Sequence, residues 1–251
     1  MDGLIRAELG AGTTGAPQLL ERGQLRLLGP RTDNPIPAYT LVNTSGAVVG
    51  SDRLRIDLTL GEARQGQFGT VGATLLHAGR PSFARTRLRV AAGAHLEWLP
   101  GAILPMAGSH HRQQMSIEVA AGGTLLATDL LQAGPLCDPD AALTCLATTT
   151  RAGYGGQVIY RERAAYASNN ASQWGGFRCL GTVLALGEPF NAALAEELSA
   201  LWQRHGLWGA FSVLAGGGIS GKLLTQHPQD CREAMAAVVG VLRARQLPSN
   251  R

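Results

Sequence analysis

The sequence is poor in lysine and in aromatic residues. Lys222 is the single lysine among 251 residues, so arginine carries nearly all of the positive charge, and the net charge is +4. The basic residues are spread along the chain instead of forming runs, and aromatic residues make up 5% of it. Because nucleic acids are bound by clustered basic residues beside aromatic stacking platforms, we expect no nucleic acid partner.

Long apolar runs and paired cysteines are also missing. No stretch approaches the ~20 apolar residues that span a bilayer, and the first residues lack the basic-then-apolar order of a signal peptide, which predicts a cytoplasmic protein without membrane contact. Cys137, Cys145, Cys179 and Cys231 form no Cys-x-x-Cys pair. In a reducing compartment they are expected to be free thiols, and a zinc site would need two closely spaced ligand pairs.

Motifs for catalysis and for cofactor binding are incomplete. The segment Gly10 to Gly15 matches a dinucleotide fingerprint, but no convincing strand precedes it and a turn is favoured. Lys222 ends a phosphate-loop-like segment, yet Leu223 follows where Ser or Thr would hold magnesium. A Gly-x-Ser-x-Gly elbow is absent. The chain is therefore predicted to be no enzyme and to bind no cofactor tightly.

The pattern of residues 12–186 is typical of β-structure. Short segments rich in Val, Leu, Ile and Thr are broken every eight to twelve residues or so by Gly, Pro, Asn or Asp. Three phrases, among them "LRVAAGAHLEWLP", share an apolar strand, a small-residue turn and a second strand, with a rhythm of about 25 to 30 residues. This predicts stacked hairpins or coils, in a solenoid or a jelly-roll-like body within one domain of 1–251.

Two helices are predicted in residues 187–247, on either side of a glycine-interrupted strand pair. Asn191 can cap the first, in which apolar residues recur at 3/4 spacing up to Gly206. Pro228 begins the second, with acidic residues near its start and Arg243 and Arg245 near its end, as the helix dipole favours.

Three carboxylates stand in or beside apolar β segments, namely Asp52, Asp129 and Glu162. A buried carboxylate is costly unless it is paired or binds a cation, so each is either salt-bridged or functional. Arg53, Arg161 and Arg163 are immediate neighbours in the sequence, and spacing alone favours the salt bridge.

The chain resembles the UreD (UreH) family of urease accessory proteins from about Gly12 to Arg245. The closest segment is Leu88 to Pro100, which has the family's Leu-x-Val, Gly-Ala and Leu-Glu-Trp-Leu-Pro order. Val48 to Gly61 is similar to a second signature that retains Asp52, while Asp129 and Glu162 fall on acidic positions of two further segments.

The resemblance implies a helical β-structure with two α-helices near the C-terminus. It also implies a non-catalytic scaffold that binds the accessory proteins UreF and UreG and apo-urease, and that passes nickel transiently along an acidic internal tunnel. Oxygen ligands suit transient binding, because thiolates or several imidazoles would hold the ion too tightly. Asp52, Asp129 and Glu162 are the predicted tunnel residues.

The C-terminal region also contains candidate partner-binding residues, although a role in the core is about equally compatible with them. Aromatic and leucine anchors dominate many interfaces, and here they are Leu201, Trp202, Trp208 and Phe211.

Two other functions stay open. One is a polysaccharide hydrolase or lyase that uses Asp129 and Glu162 as an acid/base pair. The other is a scaffold for assembly of another metal centre.

Overall fold

The computed structural model describes residues 2–10 and 17–246, and within them the chain is mostly β with two α-helices, as expected. The Gly10 to Gly15 motif lies largely outside the described residues. In chain order the strands are β1 (Asp2–Leu9), β2 (Gln18–Arg22), β3 (Leu25–Arg31), β4 (Ala38–Asn43), β5 (Arg53–Leu60), β6 (Gln65–Thr70), β7 (Thr74–Leu76), β8 (Ser82–Val90), β9 (His95–Leu99), β10 (Ile103–Pro105), β11 (His110–Val119), β12 (Thr124–Gln132), β13 (Cys145–Tyr154), β14 (Gln157–Ala167), β15 (Cys179–Leu186), β16 (Trp208–Val213) and β17 (Gly218–Thr225). The helices are α1 (Ala192–Arg204) and α2 (Pro228–Gln246), and two 3-10 segments cover Gly134–Cys137 and Ser168–Trp174. The β body begins earlier than residue 12, because β1 already lies in a sheet.

The described strands form two sheets. One has the order β14-β13-β11-β8-β5-β1-β2, and the other has the order β16-β17-β15-β12-β9-β6-β4-β3 with β7 and β10 attached through β12. Between β5 and β12 the chain alternates between them, so that each strand of the first sheet is followed by one of the second.

Most neighbouring strands of the body are parallel and lie one coil apart. Leu58 pairs with Leu88, and Leu88 pairs with Ile117, so one coil takes about 30 residues. The repeated strand–turn–strand phrases are therefore coils that cross from one sheet to the other, and not hairpins. This decides between the two arrangements that periodicity left open.

Two apolar layers hold the fold together. The inner faces of the two sheets meet in one core, which includes Leu58, Leu88 and Ile117. The second core lies between the outer face of the larger sheet and the two helices, and it includes Trp202 and Val238. Burial of apolar surface in each layer contributes roughly 25 cal/mol per Å². The molecule therefore has three layers, in the order sheet, sheet, helices.

The two helices begin where the sequence predicts. The Asn191 side chain accepts a hydrogen bond from the Leu194 N–H at 3.1 Å and caps α1, and Pro228 is the first residue of α2. Between them, β16 and β17 form the expected antiparallel strand pair. Among the described residues, neither helix is long and apolar enough to cross a membrane.

Candidate functional site

Asp129 and Glu162 face each other from opposite sheets. Asp129 lies on β12, where its cross-strand neighbours are Thr182 on β15 and then Lys222 on β17. Side chains in such a row point to the same side of a sheet. Glu162 lies on β14 of the other sheet, opposite Thr150 of β13. Residues from five strands thus meet between the two sheets.

Lys222 connects the two sheets through Glu162. Its ammonium donates hydrogen bonds to Glu162 Oε1 at 2.5 Å and to Thr182 Oγ1 at 3.3 Å. The Tyr160 hydroxyl donates to the other oxygen, Glu162 Oε2, at 2.5 Å. The predicted salt bridges from the neighbouring arginines are therefore wrong for Glu162, whose cationic partner is the single lysine, 60 residues further along the chain.

A cavity of about 40 Å³ lies between these side chains. One enclosed water molecule needs roughly 10–15 Å³, so the space accommodates a few. At the Lys222 end the cavity reaches solvent, because this lysine is exposed. Its polar lining comprises Thr128, Asp129, Thr148, Thr150, Tyr160, Glu162, Tyr166, Thr182 and Lys222.

The pKa of Asp129 beside this cavity is raised to about 6. Burial is the main cause, and the negative charge of Glu162 adds to it, while Lys222 acts in the opposite direction. Burial likewise raises the pKa of Tyr166 to about 12, and burial together with Glu162 raises the pKa of Tyr160. At neutral pH the site therefore holds an ionised aspartate, whose charge is poorly solvated, beside hydroxyl donors.

These groups offer only oxygen ligands to a cation. Across residues 2–10 and 17–246, no three His, Cys, Asp or Glu side chains gather closely enough to make a metal cage. Two carboxylates with threonine hydroxyls and water hold a divalent ion weakly, and such an ion competes with the Lys222 ammonium for Glu162. The arrangement suits passage or exchange of a cation better than storage.

Asp52 is not part of this cavity. It precedes β5 and accepts hydrogen bonds from Gln24 Nε2 at 3.1 Å and from the Val49 N–H at 3.0 Å. Burial acts to raise its pKa, but charge interactions and hydrogen bonds, these two among them, outweigh burial and lower it. The strand row of Glu162 crosses β5 at Ile56. Asp52 is thus four strands, about 19 Å, to the side of Glu162 and about 13 Å along the strand from its row.

The four candidate partner-binding residues separate into core and surface. Trp202 is 1% exposed and Phe211 is also buried, and their rings pack against each other with centroids 4.5 Å apart. Their burial agrees with the alternative of a core role, because Trp202 of α1 packs on Phe211 of β16 between the helices and the larger sheet. Leu201 is half-buried against the same core. Trp208 is 66% exposed and stacks on Phe177 at 5.1 Å.

A buried ionic cluster under α2 was not predicted from the sequence. Glu97 of β9 is 0% exposed and accepts hydrogen bonds from both Arg243 Nε, at 2.8 Å, and Arg243 Nη2. Arg243 Nη2 also donates to Gln67 Oε1 at 3.0 Å, and His95 Nε2 lies 3.4 Å from Glu97 Oε1. The available signal was an acidic residue flanked by apolar ones in "HLEWL".

The fold is thus a two-sheet β coil that carries a helical layer on one side and a small cavity with two carboxylates between its sheets. A family model described as UreD urease accessory protein matches residues 3–251. The chain belongs to this family, and it is accordingly a urease accessory protein that takes part in urease maturation together with urease and other accessory proteins.

Similar curated proteins carry the same description. The UreD urease accessory protein of Cereibacter sphaeroides is 29% identical over 242 residues, which cover 92% of this chain and 86% of that protein. That of Rhodopseudomonas palustris is 27% identical, covering 98% of this chain and 91% of its own length. That of Delftia acidovorans is 31% identical, covering 79% and 72%.

Proposed function

We propose that this chain is a cytoplasmic, non-catalytic scaffold that joins apo-urease to the accessory proteins UreF and UreG and passes Ni²⁺ through the cavity between its sheets. Family membership supports the assembly role. The observation that supports the path is the facing pair Asp129 and Glu162 at a cavity that has room for a few water molecules. Nickel is cargo here and not a resident cofactor.

The chemistry of the pair fits transient binding. Two carboxylates attract a divalent ion, and water and threonine hydroxyls complete its coordination without thiolates or imidazoles that would retain it. In the absence of a metal ion the Lys222 ammonium is bound to the Glu162 carboxylate, and it binds there again after the ion has left. The path is restricted to Asp129 and Glu162, since Asp52 lies about 19 Å to the side.

The size of the cavity argues against the alternative that the same two carboxylates hydrolyse or cleave polysaccharides. Pockets for organic ligands measure roughly 300–1,000 Å³. The cavity beside Asp129 measures about 40 Å³, which is too small for a sugar ring.

Loss of either path carboxylate is expected to lower nickel delivery without breaking the complex. Asp129→Asn and Glu162→Gln keep the side-chain shape, so the chain should still fold and still be recovered with co-expressed urease and accessory proteins. Urease nickel content per active site should fall severalfold, measured by elemental analysis of the purified enzyme.

The matched control is Glu188→Gln, which removes an exposed carboxylate that does not line the cavity. It should leave nickel content unchanged. Full nickel content with both cavity variants would exclude this path, and loss of the complex with either variant would show that the carboxylates act in folding or binding instead.

A further inference from the structure

The outward-facing side of the seven-stranded sheet collects arginines that are scattered in the sequence. Two adjacent cross-strand rows run over β5, β8, β11, β13 and β14. The first row is Arg55, Arg85, Gln114, Thr149, Arg163, and the second is Asp57, Arg87, Ser116, Arg151, Arg161. We call these two rows the arginine face. It spans four strand spacings, about 19 Å.

Within each row, like charges stand directly opposite one another. Arg55 pairs in register with Arg85, and Arg151 pairs with Arg161. Like charges at directly opposed positions destabilise a sheet. These opposed arginines therefore repel each other in the isolated chain, at a cost in stability.

Carboxylates neutralise only one end of this surface. Asp57 Oδ2 lies 2.7 Å from Arg55 Nη2. In the part of the chain that the structure describes, Arg87, Arg151, Arg161 and Arg163 have no ion-pair partner, and neither has Arg85. These guanidinium groups are thus available to carboxylates from outside the chain.

We propose that the arginine face is a docking surface for a partner protein that presents a cluster of carboxylates. Arginine forks bind carboxylates in a bidentate manner, and they are enriched at protein interfaces. Neither row contains an aromatic side chain on which a base would stack, and this favours a protein over a nucleic acid. The proposal deepens the assembly role and rests on it, but it is independent of the nickel path.

The test uses a double variant that removes both like-charge pairs and reverses two positive charges of the arginine face. In Arg85→Glu/Arg161→Glu, each new carboxylate stands opposite a remaining arginine, so thermal unfolding should occur at the same temperature or higher. A matched control, Arg178→Glu/Arg204→Glu, makes the same charge change at exposed positions outside the sheet.

The probe is a fluorescein-labelled polyglutamate peptide, followed by fluorescence anisotropy at low and at raised salt. The face variant should bind it about tenfold more weakly than the wild type, and the control about twofold at most. Equal weakening in both variants would assign binding to net charge alone and overturn the proposal. Tighter binding of polyuridine RNA than of polyglutamate by the wild type would overturn it in favour of a nucleic acid surface.

Recovery of the complex with co-expressed urease and accessory proteins separates this inference from the proposed function. The face variant should lose a partner that the wild type and Asp129→Asn retain. An intact complex with the face variant overturns the docking surface and leaves the proposed function standing. If the wild type also recovers no partner, the proposed function fails, and peptide binding decides the docking surface by itself.

Discussion

At the scale of single residues, Asp129 makes one contribution to the pH dependence of stability that can be isolated by mutation. Its pKa is raised from 3.8 to about 6, so the folded state binds more protons than the unfolded state between these values. Stability contributed at this position is therefore lost as pH rises from about 4 to about 6. Asp129→Asn should be about 3 kcal/mol more stable than the wild type at pH 7 and equally stable at about pH 3.

Urea unfolding of both proteins at a series of pH values measures this difference. Subtracting one profile from the other cancels the opposite trend from Asp52 and Glu97, whose pKa values are lowered. A difference that is constant across the range would mean that the Asp129 charge is well solvated.

The sequence predicted part of this site and missed its counter-ion. Asp129 and Glu162 stood out because each is a carboxylate within an apolar β segment. Lys222 did not, because a strand pair brings it to Glu162 from 60 residues away, whereas the adjacent Arg161 and Arg163 point to the other face. Alternation along one strand predicts which side chains share a face, but it does not predict which strand lies opposite.

At the scale of elements, the turns of successive coils stack on one another and require a left-handed residue at the same place. Gly93 and Gly122 have φ values of 67° and 76°, while Ala63 occupies the equivalent position at 57°. A side chain in this conformation costs roughly 1 kcal/mol. Ala63→Gly should therefore raise the free energy of unfolding by about 0.5 kcal/mol, since glycine's greater backbone entropy when unfolded offsets part of the gain.

The reverse change, Gly122→Ala, should lower stability by about 0.5 kcal/mol, since the lower backbone entropy of unfolded alanine again offsets part of the strain. A Cβ there meets nothing closer than 4.0 Å, so backbone strain alone is tested. Gly72→Ala, with no left-handed φ and with open space around its Cβ, serves as the unstrained control and should raise stability by about 0.5 kcal/mol. Chemical denaturation of the three variants measures the effects, and a destabilised Ala63→Gly would contradict the explanation.

The sequence predicted those features of the elements that depend on neighbouring residues, and it did not predict those that depend on distant ones. Asn191 and Pro228 marked both helix starts, because capping depends on the residues next to the helix end. Coils and hairpins produce the same local phrase of strand, turn and strand, and they differ only in which sheet receives the second strand. Their distinction needed the structure.

At the scale of the whole molecule, one buried ion pair fastens the helical layer to the β body. Burial acts to raise the pKa of Glu97, but hydrogen bonds from Arg243 and His95 lower it, so the carboxylate is charged at neutral pH. Arg243→Ala leaves that charge without its partner and should cost about 3 kcal/mol or more.

The control Arg245→Ala, on the same helix as Arg243, removes an exposed ion pair with Glu197 of α1 and should cost less than about 1 kcal/mol. Adding Glu97→Gln to Arg243→Ala should restore much of the loss, because no buried charge remains. Urea unfolding, with limited proteolysis of α2, measures these effects. Equal costs for the two arginines would show that the buried pair does not fasten the layers.

Lys222 also allows the cavity to be followed by chemical labelling of its side-chain amine. Apart from the terminal amine, it is the only primary amine in the chain. While its nitrogen is bound to Glu162, an acylating reagent competes with that carboxylate for it; once a cation takes the carboxylate, the amine is released to react. If Ni²⁺ binds Glu162 as proposed, the rate of labelling at this single nitrogen reports how far the proposed path is occupied, without an engineered tag.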